Sequence, residues 1–457
     1  IEKALEAWGK GPKPQHSEDD PAAGRLALYP AMVFGGQDWM VNMRNPKRAE
    51  AQMRFMVEDM REFYSGMERW LEEELGYDGI VVSTNWKTVD ERVVGPLDFY
   101  ANMAVDVTAR NTYFSGGHKR TKFHPWMVGD KYVNRSILRD PQAAITMHMQ
   151  YAGHPHFITE GGWAMPNRFR TEEQLVMASY GCLQGLDGLF PFSLEPDWIH
   201  TMDKWPIQTA ATIGQYPAAS LIYRRGYVEE GPIVINEALK LDDLYALKGA
   251  AMSQPLGMDS YRSAEIPEGV QAEVESLPGL DPLAFYVGRV IRTIGEDPGA
   301  TKVLGDLPKL IDRENKVVRS ATGQLMLDFG TGLLTVDAPK AQGVTGFLAE
   351  AGAVDTSDAV FDLQNEYAAA VLVALDDRPL AESERMLLQV MTEEKPYNWQ
   401  AKPVRAAMKK DAPEVDAMEM TNLGTAPLVV RDIDGTVKLT RADAGDLEVT
   451  ALDYNGY

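Results

Sequence analysis

One carboxylate stands out among the residues able to do chemistry. Glu160 closes the apolar stretch of "HFITEGGW" (156–163), and two glycines, a tryptophan and a polar loop containing Asn167 follow it. An acid at the polar end of a buried strand suits a nucleophile or a proton-transferring group, because burial tunes its ionisation. Similar polar endings recur nearby. "MAVDVTARNTYF" (103–114) ends in Asn111 and Tyr113, "GIVVSTNW" (79–86) in Asn85 and Trp86, and "DGLFPFSLEPDW" (187–198) in Glu195, Asp197 and Trp198. All 7 histidines lie at or before His200, and all tryptophans but Trp399 at or before Trp205, so the first region is the expected place for chemistry. The histidines show no HExxH or similar spacing and Cys182 is the single cysteine, so neither a metal nor a cofactor is expected. No GxSxG occurs, which removes the nucleophile elbow of a serine hydrolase.

The elements that must position these residues alternate. Pro46 opens a helical stretch in which Met53, Val57, Met60, Tyr64, Met67, Leu71 and Leu75 recur at three- and four-residue spacing. This single apolar stripe reads as a core face, not a cofactor box, and Gly76 stops the helix. Further helices are expected around 95–102, 140–151 and 171–183, each ahead of one of the apolar runs. The last contains Cys182 in "ASYGCLQGL", expected as a small core residue. Helix-then-strand units with apolar strands imply a parallel sheet. Polar residues gathered at the strands' C-terminal ends point to a (β/α) barrel, whose sites lie on that face. A doubly wound open sheet is the competitor, but the Gly-rich phosphate loops GxGxxG and GxxxxGK[ST] are absent.

With 457 residues the chain is expected to hold two or three domains. A boundary is placed near Gly226. Residues 227–310 read as a loop-rich connection packed on the barrel. Residues 311–457 read as all-β, with alternating Leu325, Leu327 and Phe329, the runs "YAAAVLVALDD", "APLVVRDIDGTVKLT" and "LEVTALDYNGY", and Gly or Asp-Gly turns. A β-sandwich is expected there. The formal net charge of −22 repels phosphate backbones and anionic membrane surfaces, so no nucleic-acid or membrane partner is expected. No run of about 18 apolar residues is present. The chain opens on Ile, so a processed, trimmed or partial polypeptide is expected.

"LEEELGYDGIVVSTNW", "HFITEGGWAMPNRFRTEEQLVMASYGCLQGLDGLFPFSLE" and "VVRSATGQLMLDFGTGLLTVDAPKAQGVTGFL" resemble large glycoside hydrolases in or near clan A, of planctomycete type, from polysaccharide-degrading bacteria. The resemblance covers most of the chain and extends to the order of the segments. It implies α/β plus all-β architecture: over 1–226 the C-terminal part of a (β/α)8 TIM barrel, strands five to eight, followed by a β-sandwich. It implies hydrolysis of β-linked poly- or oligosaccharides with retention, a carbohydrate substrate, and an extracellular or periplasmic location. "HFITEGGW" matches the strand that carries the nucleophile in that clan, which gives the role to Glu160. The clan's acid/base follows an Asn at the end of strand four. No Asn-Glu pair occurs upstream of Trp86; the two present are Asn236–Glu237 and Asn365–Glu366. An N-terminal segment or a second chain is therefore expected to complete the barrel, unless it is built differently, because a half barrel leaves strand edges and core open.

Such enzymes hold two carboxyl groups about 5–5.5 Å apart when retaining and roughly 6.5–9.5 Å when inverting. Beside Glu160, Tyr113 would orient the nucleophile. Asn85, Asn111 and Asn167 would meet sugar hydroxyls, and Trp86, Trp163 and Trp198 would stack on pyranose faces. His118, His124, His154, His156 and His200 are candidates for polar contacts in subsites, and Glu195 with Asp197 for a second acid. Each tryptophan alone is about as well explained by burial. A carbohydrate-binding, assembly or structural protein on a degenerate barrel, and a homo-oligomer, remain open.

Overall fold

The computed structural model describes residues 18–29, 45–86, 93–114, 117–121, 125–141, 149–194, 203–250, 280–408 and 412–453, with residues 3, 6 and 8. Helix α1 (Pro46–Leu75) starts where Asn45 accepts the Arg48 N–H and Pro46 needs no donor of its own; it ends at Gly76 in the left-handed region. Its first half is buried through Ala49, Met53 and Val57 against helix α2 (Gly95–Asn102) and the short helix Leu241–Tyr245. The expected core stripe does not continue. Tyr64 and Leu71 are half-buried, while Met60, Met67 and Leu75 are 41%, 41% and 61% exposed. A helix of 30 residues is about 45 Å long, and its second half extends past the elements that cover the first.

Strands β1 (Thr108–Phe114), β2 (His156–Trp163) and β3 (Gly188–Pro191) lie side by side and parallel, in chain order. Residues 79–86 flank β1 through a parallel bridge from Val82 to Val107 and through the Asn111 N–H donated to the Asn85 carbonyl. Helices α3 (Glu173–Leu183) and α4 (Tyr216–Arg225) pack behind this sheet, and Gly226 caps α4 in the left-handed region. Cys182 is a buried free thiol in α3, bonded to the Ile222 carbonyl.

Residues 227–310 are more than loops. Strand β4 (Ile233–Lys240) pairs in parallel with β5 (Arg289–Gly295), which on its other side pairs in parallel with Gln150–Tyr151, where a helix was expected. Their cores, "IVI" and "VI", read in isolation like the rest of an apolar connection. Glu237, half of an Asn-Glu pair, is buried here against Arg292 at 2.7 Å, and Asn236 accepts from Thr293. Residues 251–279 and 142–148 lie outside the described residues.

The remainder is antiparallel. Seven strands run from Ile311–Asp312 to Met386–Thr392 in one open sheet. One face meets the three-stranded sheet of Val354–Asp355, Ala359–Leu363 and Gly435–Leu439 over Val344, Phe361, Leu363 and Ala370. The other face, through Leu327, Leu334, Val336 and Val371, shares a core with α3 and α4. The regions before and after Gly226 are thus one packed body, and among the described residues no sheet closes into a barrel. The expected strand "LEVTALDYNGY" is absent over 447–453, where Val449 is exposed and no neighbouring strand supplies a ladder.

The connection from β2 to α3 is locked to this antiparallel part. Glu172 accepts from Ser136 Oγ (2.6 Å), Ile137 N (2.8 Å), Trp163 Nε1 (2.8 Å) and the Tyr367 hydroxyl. Arg170 pairs with Glu394, whose other oxygen accepts from Ala211 N at 2.7 Å. Thr171 Oγ1 donates to the Thr392 carbonyl, and Lys395 Nζ to the Pro166 carbonyl. Burial pushes the Glu172 carboxyl up to about 7, against the pull of its four donors. A raised carboxyl holds its proton in the folded state while the unfolded chain releases it. Its contribution to stability is therefore complete below about pH 4.5 and is lost as pH rises through 7. His156, which burial pushes down to about 3, acts in the opposite sense below 6.5 and is common to wild type and variant. Glu172→Gln should accordingly show a smaller fall in unfolding free energy between about pH 5 and 8 than the wild type. Glu172→Ala should cost about 3 kcal/mol in denaturant unfolding, by stranding four donors. A loss under about 1 kcal/mol would show that Glu172 is no joint.

Candidate active site at the polar ends of the parallel strands

An irregularity in β2 aims Glu160. Pairing with β1 runs Arg110 to Ile158 and then Asn111 to Glu160, passing over Thr159. Pairing with β3 slips at the same place, between Ile158 and Gly161. One extra residue in a strand bends it and redirects its side chains, a device frequent beside active sites. Ile158 and Gly161 both end on the helix side: a Cβ on Gly161 would lie 3.2 Å from Ile158 Cγ2 and 3.4 Å from Met177 Cε. Glu160 turns to the other face, half-buried, where the Tyr113 hydroxyl donates to its carboxylate. Thr159 Oγ1 donates to Asn111 Oδ1 at 2.8 Å, which pins the bulge to β1. The Tyr113 ring is itself held by Trp205 (centroids 4.3 Å apart) and Phe192 (6.0 Å).

Gly162 follows at φ 156°, and a Cβ there would sit 3.4 Å from Glu173 Oε1. Glu173 accepts from Trp163 N at 3.2 Å, and burial pushes its carboxyl up to about 7. A second proton-holding acid thus lies beneath the strand two residues past Glu160, but it is enclosed and bonded to the backbone rather than open to a substrate.

The other expected residues divide. Asn85 is half-buried and Trp86 exposed, next to Asn111 across the bridge to β1. Asn111 is 4% exposed, and its amide nitrogen has no hydrogen-bond partner. His118 lies in the hairpin beyond β1, edge-on to Trp126. Trp163 does not offer a stacking face: it is 2% exposed, packs on Phe114 and donates to Glu172. Asn167 is a scaffold residue, bonded to the backbone of Arg135 (N–H at 3.1 Å, carbonyl at 2.8 Å). His154 and His156 sit at the opposite, N-terminal end of β2. His156 is buried and neutral, with Thr108 Oγ1 2.9 Å from Nδ1 and Asp187 accepting from its backbone. Glu195, Asp197, Trp198, His124 and His200 lie outside the described residues. Sequence reasoning passed over Trp205, Lys204, Trp126 and Arg120. Trp205 belonged to the counted aromatic cluster, but nothing local ties "DKWP" to Tyr113.

Among the described residues no group of three or more His, Cys, Asp or Glu is placed to hold a metal ion, and no helix is long and apolar enough to cross a membrane. No protein-family model, curated protein or solved structure matches the chain.

The scaffold assignment of Asn167 makes a distinct prediction. Asn167→Ala should lower unfolding free energy by about 2 kcal/mol, because the Arg135 backbone groups lose their partners. Unfolding free energy unchanged to within about 0.5 kcal/mol would overturn the scaffold assignment.

Proposed function

We propose that this protein is a glycoside hydrolase of β-linked glycans that works with retention, Glu160 being the nucleophile. The hydrogen bond from Tyr113 to Glu160, at the bulge and at the polar ends of parallel strands, carries the reading. A hydroxyl donated to the carboxylate holds it in one orientation, as a nucleophile aimed at an anomeric carbon must be held. Glu160 would form a glycosyl ester as the bond to the leaving oxygen breaks and that oxygen takes a proton from an acid. Water, giving its proton back to that acid, would then release the sugar. Trp205, Trp86 and Asn111 suit the apolar face and hydroxyls of a pyranose.

On this reading residues 1–226 are the C-terminal portion of a (β/α)8 barrel and the antiparallel sheets form a β-sandwich. The acid comes from an N-terminal segment or a second chain completing the barrel, with Glu195 the alternative within this chain. Exposed apolar side chains support a missing neighbour: Ile80 and Phe190 on the sheet, and Met60, Phe63, Met67 and Trp70 on α1. Work on polysaccharide outside the cytoplasm fits the same reading.

Glu160→Gln, assayed on a panel of β-glycans with the complete barrel, should lose on the order of 10³-fold or more in kcat while substrate still binds. Tyr113→Phe should lose about 10–100-fold in kcat with little change in KM. The product's first anomer, read by NMR, should match the substrate's. Undiminished turnover by Glu160→Gln would overturn the assignment. Binding without turnover in the wild type would favour the carbohydrate-binding alternative.

A further inference from the structure

A second group of side chains, in the hairpin beyond β1 and on the segment that carries Trp205, has no part in the hydrolysis. The guanidinium carbon of Arg120 lies 4.2 Å from the centroid of the Trp126 ring, and His118 meets the same indole at 4.9 Å. Lys204, 3% exposed, places Nζ 4.5 Å from the centroid of Trp205, the ring that packs on Tyr113. Through Trp205, Lys204 is joined to the Tyr113–Glu160 pair, and the charge of Lys204 acts on His118, which shares the Trp126 ring with Arg120.

Most of what is unsatisfied here is of one kind. The three guanidinium nitrogens of Arg120 are buried without a hydrogen-bond partner, and so are the indole nitrogen of Trp126 and the amide nitrogen of Asn111. Each is a donor. The carboxylates acting on Arg120 are Asp130 and Asp203. Neither bonds to it, and Asp130 already accepts from Thr121 N, Thr121 Oγ1 and Met127 N. Burial lowers the affinity of Arg120 for its proton, and burial with Lys204 and Arg120 holds His118 well below its usual range. A buried guanidinium without a partner is costly, and such groups call for an explanation in a native structure. The complement of a planar fork of donors is an oxyanion. It is more conspicuous in a chain of net charge −22.

We propose that Arg120, with Lys204 and the indole N–H of Trp126, forms a subsite for an anionic substituent, a carboxylate or a sulfate ester, on the sugar bound at Glu160. The inference rests on the glycosidase reading of Glu160 and narrows its substrate class to acidic glycans.

The test is calorimetric binding to Glu160→Gln protein, with and without Arg120→Met. The ligands are glucuronate and galacturonate against glucose and galactose, and galactose 6-sulfate against galactose. The charged sugar should bind about tenfold or more tighter than its neutral counterpart, the advantage disappearing in Arg120→Met and surviving in part in Arg120→Lys. Preference for uronates alone or for the sulfate alone identifies the substituent. Because the guanidinium has no partner, Arg120→Met should unfold at a temperature no lower than its parent. Equal binding of charged and neutral sugars, no binding of either, a preference that persists in Arg120→Met, or a clear drop in that variant's unfolding temperature would each overturn the subsite. The two proposals fail separately. An Arg120-dependent anion preference in a wild type that cleaves no glycan defeats only the hydrolase. Cleavage without that preference defeats only the subsite.

Discussion

The architecture depends on one buried carboxylate. Glu172 sits under four donors drawn from β2, from the 136–137 turn and from Tyr367 at the start of the Ala368–Ala374 strand. Taking a charge out of water is costly unless every lone pair finds a donor. The parallel and antiparallel parts must therefore come together in one arrangement for Glu172 to be satisfied. Arg170 with Glu394, and Lys395 on Pro166, repeat the demand within a few residues. The segment leaving the C-terminal end of β2 is thus anchored at both ends, and the strand that carries Glu160 inherits that rigidity.

Rigidity alone would not aim the side chain. The extra residue at Thr159 does that, turning Glu160 from the helix-packed face to the face where Tyr113 and Trp205 lie. Gly162 then lets Glu173 come up beneath the strand. The result is a layered arrangement. Buried acids that hold the frame lie behind and below, half-buried Glu160 faces outward, and donors with no acceptor lie to one side. The framework carboxylate Glu172 is saturated by hydrogen bonds, whereas Arg120, Trp126 and Asn111 hold buried donors without an acceptor. That contrast is the physical distinction between the two kinds of polar residue here.

Much of this was legible in the chain. The apolar runs with polar ends give parallel strands in chain order, the helices at 95–102 and after 171 form where their spacing puts them, and Glu160 and Tyr113 meet across neighbouring strands. Local pattern suffices there because short apolar runs with polar ends, and helical spacing, are properties of neighbouring residues. It failed where burial depends on a distant partner. The stripe of α1 continues in sequence beyond the elements that cover it. Trp163 and Asn167 looked like ligand contacts because their partners, Glu172 and the Arg135 backbone, are unremarkable in the sequence. The strands at 233–240 and 289–295 were hidden in an apparent connection because parallel partners need no local signal from one another.

By itself, the sequence determined the parallel strands β1 to β3, the helices at 95–102 and after 171, and that an acid would end the apolar run within β2. These follow from periodicity and from the polar ends of apolar runs, properties of a few adjacent residues. Only the tertiary structure decided which polar residues hold the frame and which face outward. That choice turns on hydrogen-bond partners tens to hundreds of residues away, such as Tyr367 for Glu172 and Trp205 for Tyr113, and on their absence around Arg120. No local spacing encodes whether a buried donor will find its acceptor.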